Sequence, residues 1–108
     1  MIISKEDWLL FREKLPEWQE RYMKQLNDEY SALLDSDKPA SQIFWSLEKK
    51  INEDKHKPGV ALLLRKSEMI NQLAIMLKDG TICRSDLSDF SNELKAAVID
   101  IIDDKGLF

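Results

Sequence analysis

The chain carries one cysteine, one histidine, three glycines and three prolines in 108 residues. Each shortage excludes something. With Cys83 alone no disulfide can close within the chain, so a fold stapled by bridges is excluded. The same scarcity fits a reducing cytoplasm, where we expect the protein to reside. With His56 and Cys83 both single, no His/Cys zinc cluster can be assembled from one copy. Few glycines and prolines leave little room for long irregular loops. No strictly apolar run is longer than Val60 to Leu64, far short of the ~20 residues a helix needs to span a bilayer. The opening "MIISKEDWLLF" meets Glu6 and Asp7 before any long apolar region, and we expect no signal peptide. A phosphate-binding glycine loop and a G-x-S-x-G elbow are missing too.

What is present is ordinary for a globular protein: 44% hydrophobic and 33% charged residues. The length suits one domain, 1–108, able to hide roughly 60–70% of its unfolded surface. The net charge of −4 repels nucleic acid and anionic membrane in bulk. That charge is unevenly placed. Lys49, Lys50, Lys55, Lys57, Arg65 and Lys66 face only Glu53 and Asp54 over one stretch. Asp86, Asp89, Glu93, Asp100, Asp103 and Asp104 face only Lys95 over another.

Apolar spacing is helical nearly throughout. Ser4 followed by Asp7 reads as an N-cap with an acid in the first turn. Trp8, Phe11, Leu15, Trp18, Tyr22, Leu26, Tyr30 and Leu33 then recur at steps of three and four, one face of a helix. Pro16 interrupts that stripe, and the expectation is two helices, about 5–14 and 16–34, facing one core. A third helix, 40–56, comes after the loop "DSDKPAS" and should bury Ile43, Phe44, Leu47 and Ile51 before Pro58 stops it. A fourth, 59–78, should turn Leu63, Ile70, Leu73, Ala74 and Leu77 inward. Val60, Leu62 and Leu64 also fit a period of two, so 59–66 has an extended alternative. Gly80 stands where a helix C′ glycine belongs, and a last helix, 86–104, carries Leu87, Phe90, Leu94, Val98 and Ile101. The expected fold is an all-α compact bundle of four or five helices.

One stretch imitates a calcium loop. "DGTICRSDLSDF" reads like the second half of an EF-hand if Gly80 is its sixth position and Asp86 its twelfth. The first and third positions then fall on Ile75 and Leu77, hydrocarbons where calcium needs oxygen. The loop "DSDKPA" fails as well, with Pro39 and Ala40 at its fifth and sixth positions. We therefore expect no calcium, no other metal and no cofactor. A helix–turn–helix corner reads the same way: Gly80 turns left-handed, Ile82 plugs the corner, and Ser85 or Asp86 caps the next helix.

Other chemistry is sparse. Cys83 with His56 is the only formal nucleophile–base pair, and nothing near Cys83 beyond Arg84 would activate a thiolate. No catalytic constellation is visible, and we expect no enzyme. The six basic residues from Lys49 to Lys66 form a possible basic patch, but helix ends commonly carry such lysines to complement the dipole. Trp8 and Trp18 belong to the long stripe. Phe44 and Trp45 are neighbours and cannot both point inward, so one is expected at the surface, where an aromatic can anchor an interface.

Taken together, "WLLFREKLPEWQERYMKQLNDEY", "KHKPGV" and "DGTICRSDLSDFSNELKAAV" resemble a family of small uncharacterised Gram-positive bacterial proteins, similar over most of the chain. Some members carry a "multidrug transporter" label, which the missing spanning segment contradicts here. The resemblance implies an α-helical bacterial protein and brings no catalytic residues. The reading that results is a cytoplasmic helical interaction or assembly module, with Phe44 and Trp45 at its interface and a homodimer as one form. One alternative is a nucleic-acid-associated regulator using 49–66, and another a cysteine-dependent enzyme.

Overall fold

Ser4 caps the first helix: its Oγ accepts from the Asp7 amide at 3.1 Å. Helix α1 then runs unbroken from Lys5 to Leu34. The computed structural model describes residues 3–104, and of Asp104 the backbone only; both ends of the expected 1–108 domain lie outside the described residues. Pro16 does not divide α1 as its ring chemistry suggests. Pro16 and Arg12, whose carbonyl it leaves without a donor, are both exposed, while Leu15 and Trp18 on either side of the proline are buried in one core. Packing on both sides outweighs the local penalty.

The chain turns at 35–39 and returns as α2, Ala40–Asp54. Lys57 O then accepts from the Val60 and Ala61 amides. Gly59 lies flat against the Tyr22 ring, where an added Cβ would overlap Tyr22 Cδ2. Residues 61–65 form no helix or strand and end in extended backbone at Arg65, Lys66–Glu68 form a 3₁₀ turn, and α3 spans Met69–Asp79. The expected helix over 59–78 thus loses its first turns, and the extended alternative over 59–66 is met at Arg65, with 59–60 in a turn and Lys66 in the 3₁₀ segment. Gly59 is fixed by Tyr22, and Leu63, expected inward, is exposed.

Gly80 ends α3 at φ 84°, the left-handed cap expected of it, and Ile82 is buried behind the corner. The helix expected at 86–104 begins later. Arg84–Leu87 is a 3₁₀ turn, and α4 spans Asn92–Asp104. The delay has a cause: Ser91 accepts from the Leu94 amide at 3.2 Å and donates its hydroxyl to the buried Asp7 carboxylate at 2.5 Å. One side chain caps α4 and ties it to the first turn of α1.

The result is an all-α bundle of four helices, with no strand among the described residues. Its core joins Phe11, Leu15 and Trp18 of α1 to Met69, Leu73 and Leu77 of α3 and Leu94, Val98 and Ile102 of α4. Aromatic rings run through it, Phe11 to Trp18 and Trp18 to Phe90, each pair 6.3 Å between centroids. No residue of α2 belongs to this core. The second half of α1 and all of α2 instead project as a hairpin, and the molecule measures 52 × 28 × 22 Å. Its radius of gyration, 16.3 Å, exceeds the roughly 13 Å of a compact domain this long. Among the described residues no helix is long and apolar enough to cross a membrane.

A candidate interaction surface on the projecting hairpin

Inside the hairpin the apolar spacing of α2 meets α1. Ile43 and Leu47 reach half-burial against α1, whereas Phe44 and Ile51, expected to be buried, are exposed. The one buried residue of α2 is Asp54. Phe44 is 62% and Trp45 63% exposed. Both aromatics, not one, therefore stand at the surface, where they pack edge to face with centroids 5.0 Å apart. That geometry suits the ring quadrupoles but covers little of either ring.

Two hollows of about 300 Å³ each open along the hairpin. One, at the tip, lies among Leu34, Ala40, Phe44 and Leu47. The other, at the base, lies among Met23, Tyr30, Ile51 and Val60. On α1, residues 23, 30 and 34 are spaced as one helical face; on α2, residues 40, 44, 47 and 51 are as well, with Lys55 just past its end. Both hollows therefore lie along the seam between the two helices and form a broken apolar furrow there.

A buried polar knot closes the base. Asp54, 3% exposed, accepts from the Tyr30 hydroxyl at 2.7 Å, from Lys50 Nζ at 3.3 Å and from Lys57 Nζ at 3.2 Å. Glu29 takes a further ion pair from Lys50 at 3.1 Å. Burial pushes the Asp54 carboxyl upward, but the hydrogen bonds from Tyr30, Lys57 and Lys50 outweigh it and hold the group below its ordinary value. Burial, and then the carboxylate beside it, push the Tyr30 hydroxyl up to about 12. In the sequence Asp54 reads only as a charge opposing the lysines. The Lys50–Asp54 spacing of four was the available signal, and nothing local pointed to Tyr30.

The basic stretch is thus split. Lys50 and Lys57 are engaged by Asp54 and Glu29, while Lys49, Lys55, Arg65 and Lys66 are exposed and enter no ion pair among the described residues. The acidic stretch also looks inward in part. Asp86 takes both guanidinium nitrogens of Arg21, at 3.2 and 2.8 Å, and Asp89 pairs with Lys14 at 3.3 Å. Both bonds go to α1, and no ion pair among the described residues joins the two stretches.

The residues that imitate a calcium loop are occupied elsewhere. Ile75 and Leu77 lie within α3. Asp79 Oδ1 accepts from the Thr81 amide and hydroxyl. Asp86 accepts from Arg21 and, at 2.9 Å, from the Cys83 amide. Cys83 is exposed, with Ser85 Oγ and Asp86 Oδ2 as the polar neighbours of its sulfur; His56, exposed beyond the end of α2, is not among them. No group of three or more metal-ligating side chains occurs among the described residues. No protein-family profile, curated protein or solved structure matches the chain.

Proposed function

We propose that the protein is a helical interaction module and that the open side of the α1–α2 hairpin is its binding surface. One observation carries this reading: a fifteen-residue helix with an apolar face adds nothing to the core and leaves Phe44, Trp45 and Ile51 in water. Covering a side chain of this size is worth about 1.5–3 kcal/mol. A partner that covers the furrow collects a gain that folding leaves uncollected. The nucleic-acid alternative rests on Lys49, Lys55, Arg65 and Lys66, four cations spread over a helix, a turn and a 3₁₀ segment on an acidic chain.

The test is thermal. Phe44→Ser and Ile51→Gln are melted at sub-micromolar concentration, where any partner is diluted away. Both should melt within about 1 kcal/mol of the parent, as surface substitutions do. A loss of about 3 kcal/mol or more, the cost of a core truncation, would mean that folding already uses this face, and the reading would fail.

A further inference from the structure

Resting on that reading, we infer that the occupant of the furrow is a second copy of the same chain, its hairpin laid antiparallel over the first. The furrow is self-complementary. Phe44 projects near the tip, and the base hollow of about 300 Å³ opens beside Ile51. A sealed apolar cavity of half that volume, about 150 Å³, holds a benzene ring, so the base hollow has room for a phenyl group. Seven residues separate Phe44 from Ile51, a rise of about 10 Å along α2. A two-fold axis through the hairpin side near Leu47 sends each Phe44 into the other copy's hollow.

Charge runs the same way. The exposed tip carries Asp35 and Asp37 against Lys38, and α1 ends there with no basic residue in its last turn. The negative end of the α1 dipole adds to those carboxylates. The base carries exposed Lys55 on the rim of its hollow. The two-fold that seats Phe44 lays each acidic tip over the partner's basic base. An isologous contact of this kind closes on itself at two copies and does not propagate. The face is about 22 Å long and two helices wide, small for a stable interface, so the expected affinity is on the order of micromolar.

Sedimentation of the full chain from sub-micromolar to hundreds of micromolar tests this. The parent should pass from monomer to dimer. Phe44→Ala should weaken the dimer about tenfold or more, as truncating a central aromatic anchor does. Lys55→Glu should weaken it about three- to tenfold, since each reversed rim charge acts twice across the two-fold. Adding Asp35→Lys and Asp37→Lys to Lys55→Glu should restore it. All four altered side chains are exposed, and a dilute melt confirms that each variant is folded. A monomer at every concentration overturns the self-pairing; if the dilute melts of Phe44→Ser and Ile51→Gln match the parent, the interaction surface itself still stands. A dimer indifferent to Phe44 and Lys55, or one not restored by the triple reversal, also overturns the antiparallel arrangement.

Discussion

The Tyr30 hydroxyl donates to Asp54 Oδ2 across 2.7 Å and fastens the two helices of the hairpin toward its base. Asp54 is buried and also holds Lys50 and Lys57. The bond is made to a charged acceptor out of water, where loss of one partner costs more than an exposed pair would. Tyr30→Phe should therefore destabilise the chain by about 1.5–3 kcal/mol at neutral pH, measured by urea unfolding. Truncation elsewhere on the hairpin surface should cost far less. A loss below about 0.5 kcal/mol, the range of ordinary surface substitutions, would show that water replaces the hydroxyl without penalty.

The same pair sets an alkaline limit. Tyr30 is held at about 12 in the folded chain, above the ~10 of an unperturbed tyrosine. A raised folded value means that the stability it adds is complete below pH ~10 and is lost between pH ~10 and ~12. On the acid side the signs reverse. Asp54 and Asp86 are both held below their ordinary value; burial opposes this in each, and the bonds from Tyr30 and the lysines, or from Arg21 and the Cys83 amide, prevail. Their contribution is complete above the ordinary carboxylate range, about pH 4–5, and is lost as pH falls through the lowered values. Urea midpoints followed against pH should show both edges, and Tyr30→Phe should flatten the alkaline one. An unchanged alkaline edge in that variant would assign it to another group.

Calcium should leave the protein unchanged. Asp79 spends Oδ1 on Thr81 and keeps Oδ2 buried, Asp86 spends its oxygens on Arg21 and the Cys83 amide, and the first and third loop positions, Ile75 and Leu77, are hydrocarbon within α3. Melts in excess calcium and in chelator should superimpose, whereas a native-state ligand at a hundred times its dissociation constant would add about 2.7 kcal/mol. A calcium-dependent rise in Tm would mean that these carboxylates leave their present partners.

The two inner glycines divide what was legible from what was not. Gly80 could be read from the sequence because a helix terminus is a local event: an apolar period ends, a glycine comes next, and φ is positive. Gly59 could not, because its role is set by Tyr22 and Thr81, distant in sequence and brought together only by the fold. The same division runs through the molecule. The stripe from Phe11 to Leu26, the Ser4 cap and the corner at Ile82 follow from spacing alone. The Asp7–Ser91 tie and the Tyr30–Asp54 bond span 84 and 24 residues, and no periodicity encodes them. For α2 the period located the helix but overstated its burial, since an apolar face shows what a helix can cover and not whether the chain supplies the cover. Gly80→Ala should cost about 1 kcal/mol, for a Cβ in left-handed backbone with open space around it. Gly59→Ala should cost more, about 1–3 kcal/mol, because its Cβ would collide with the Tyr22 ring and Thr81 Oγ1. Chemical denaturation of both variants decides the order, and a larger loss at Gly80 would reverse the assignment.

Pro16 provides a test in the opposite direction. It lies within α1, exposed, where its ring crowds the carbonyl of Arg12 and offers that carbonyl no donor. A proline in a helix interior is about 3 kcal/mol worse than alanine, while proline also restrains the unfolded chain and returns up to about 1 kcal/mol of that difference. If α1 gains nothing from the local distortion, Pro16→Ala should raise stability by about 1–2 kcal/mol, visible as a higher urea midpoint with the same slope. The opposite result carries equal information. Leu15 and Trp18, one on each side, pack into the core while the far half of α1 carries the hairpin outward. A bend at Pro16 would set the direction in which that hairpin leaves the core. Should Pro16→Ala lower the midpoint, the distortion is required for Leu15 and Trp18 to seat together, and straightening the helix pulls one of them out of place.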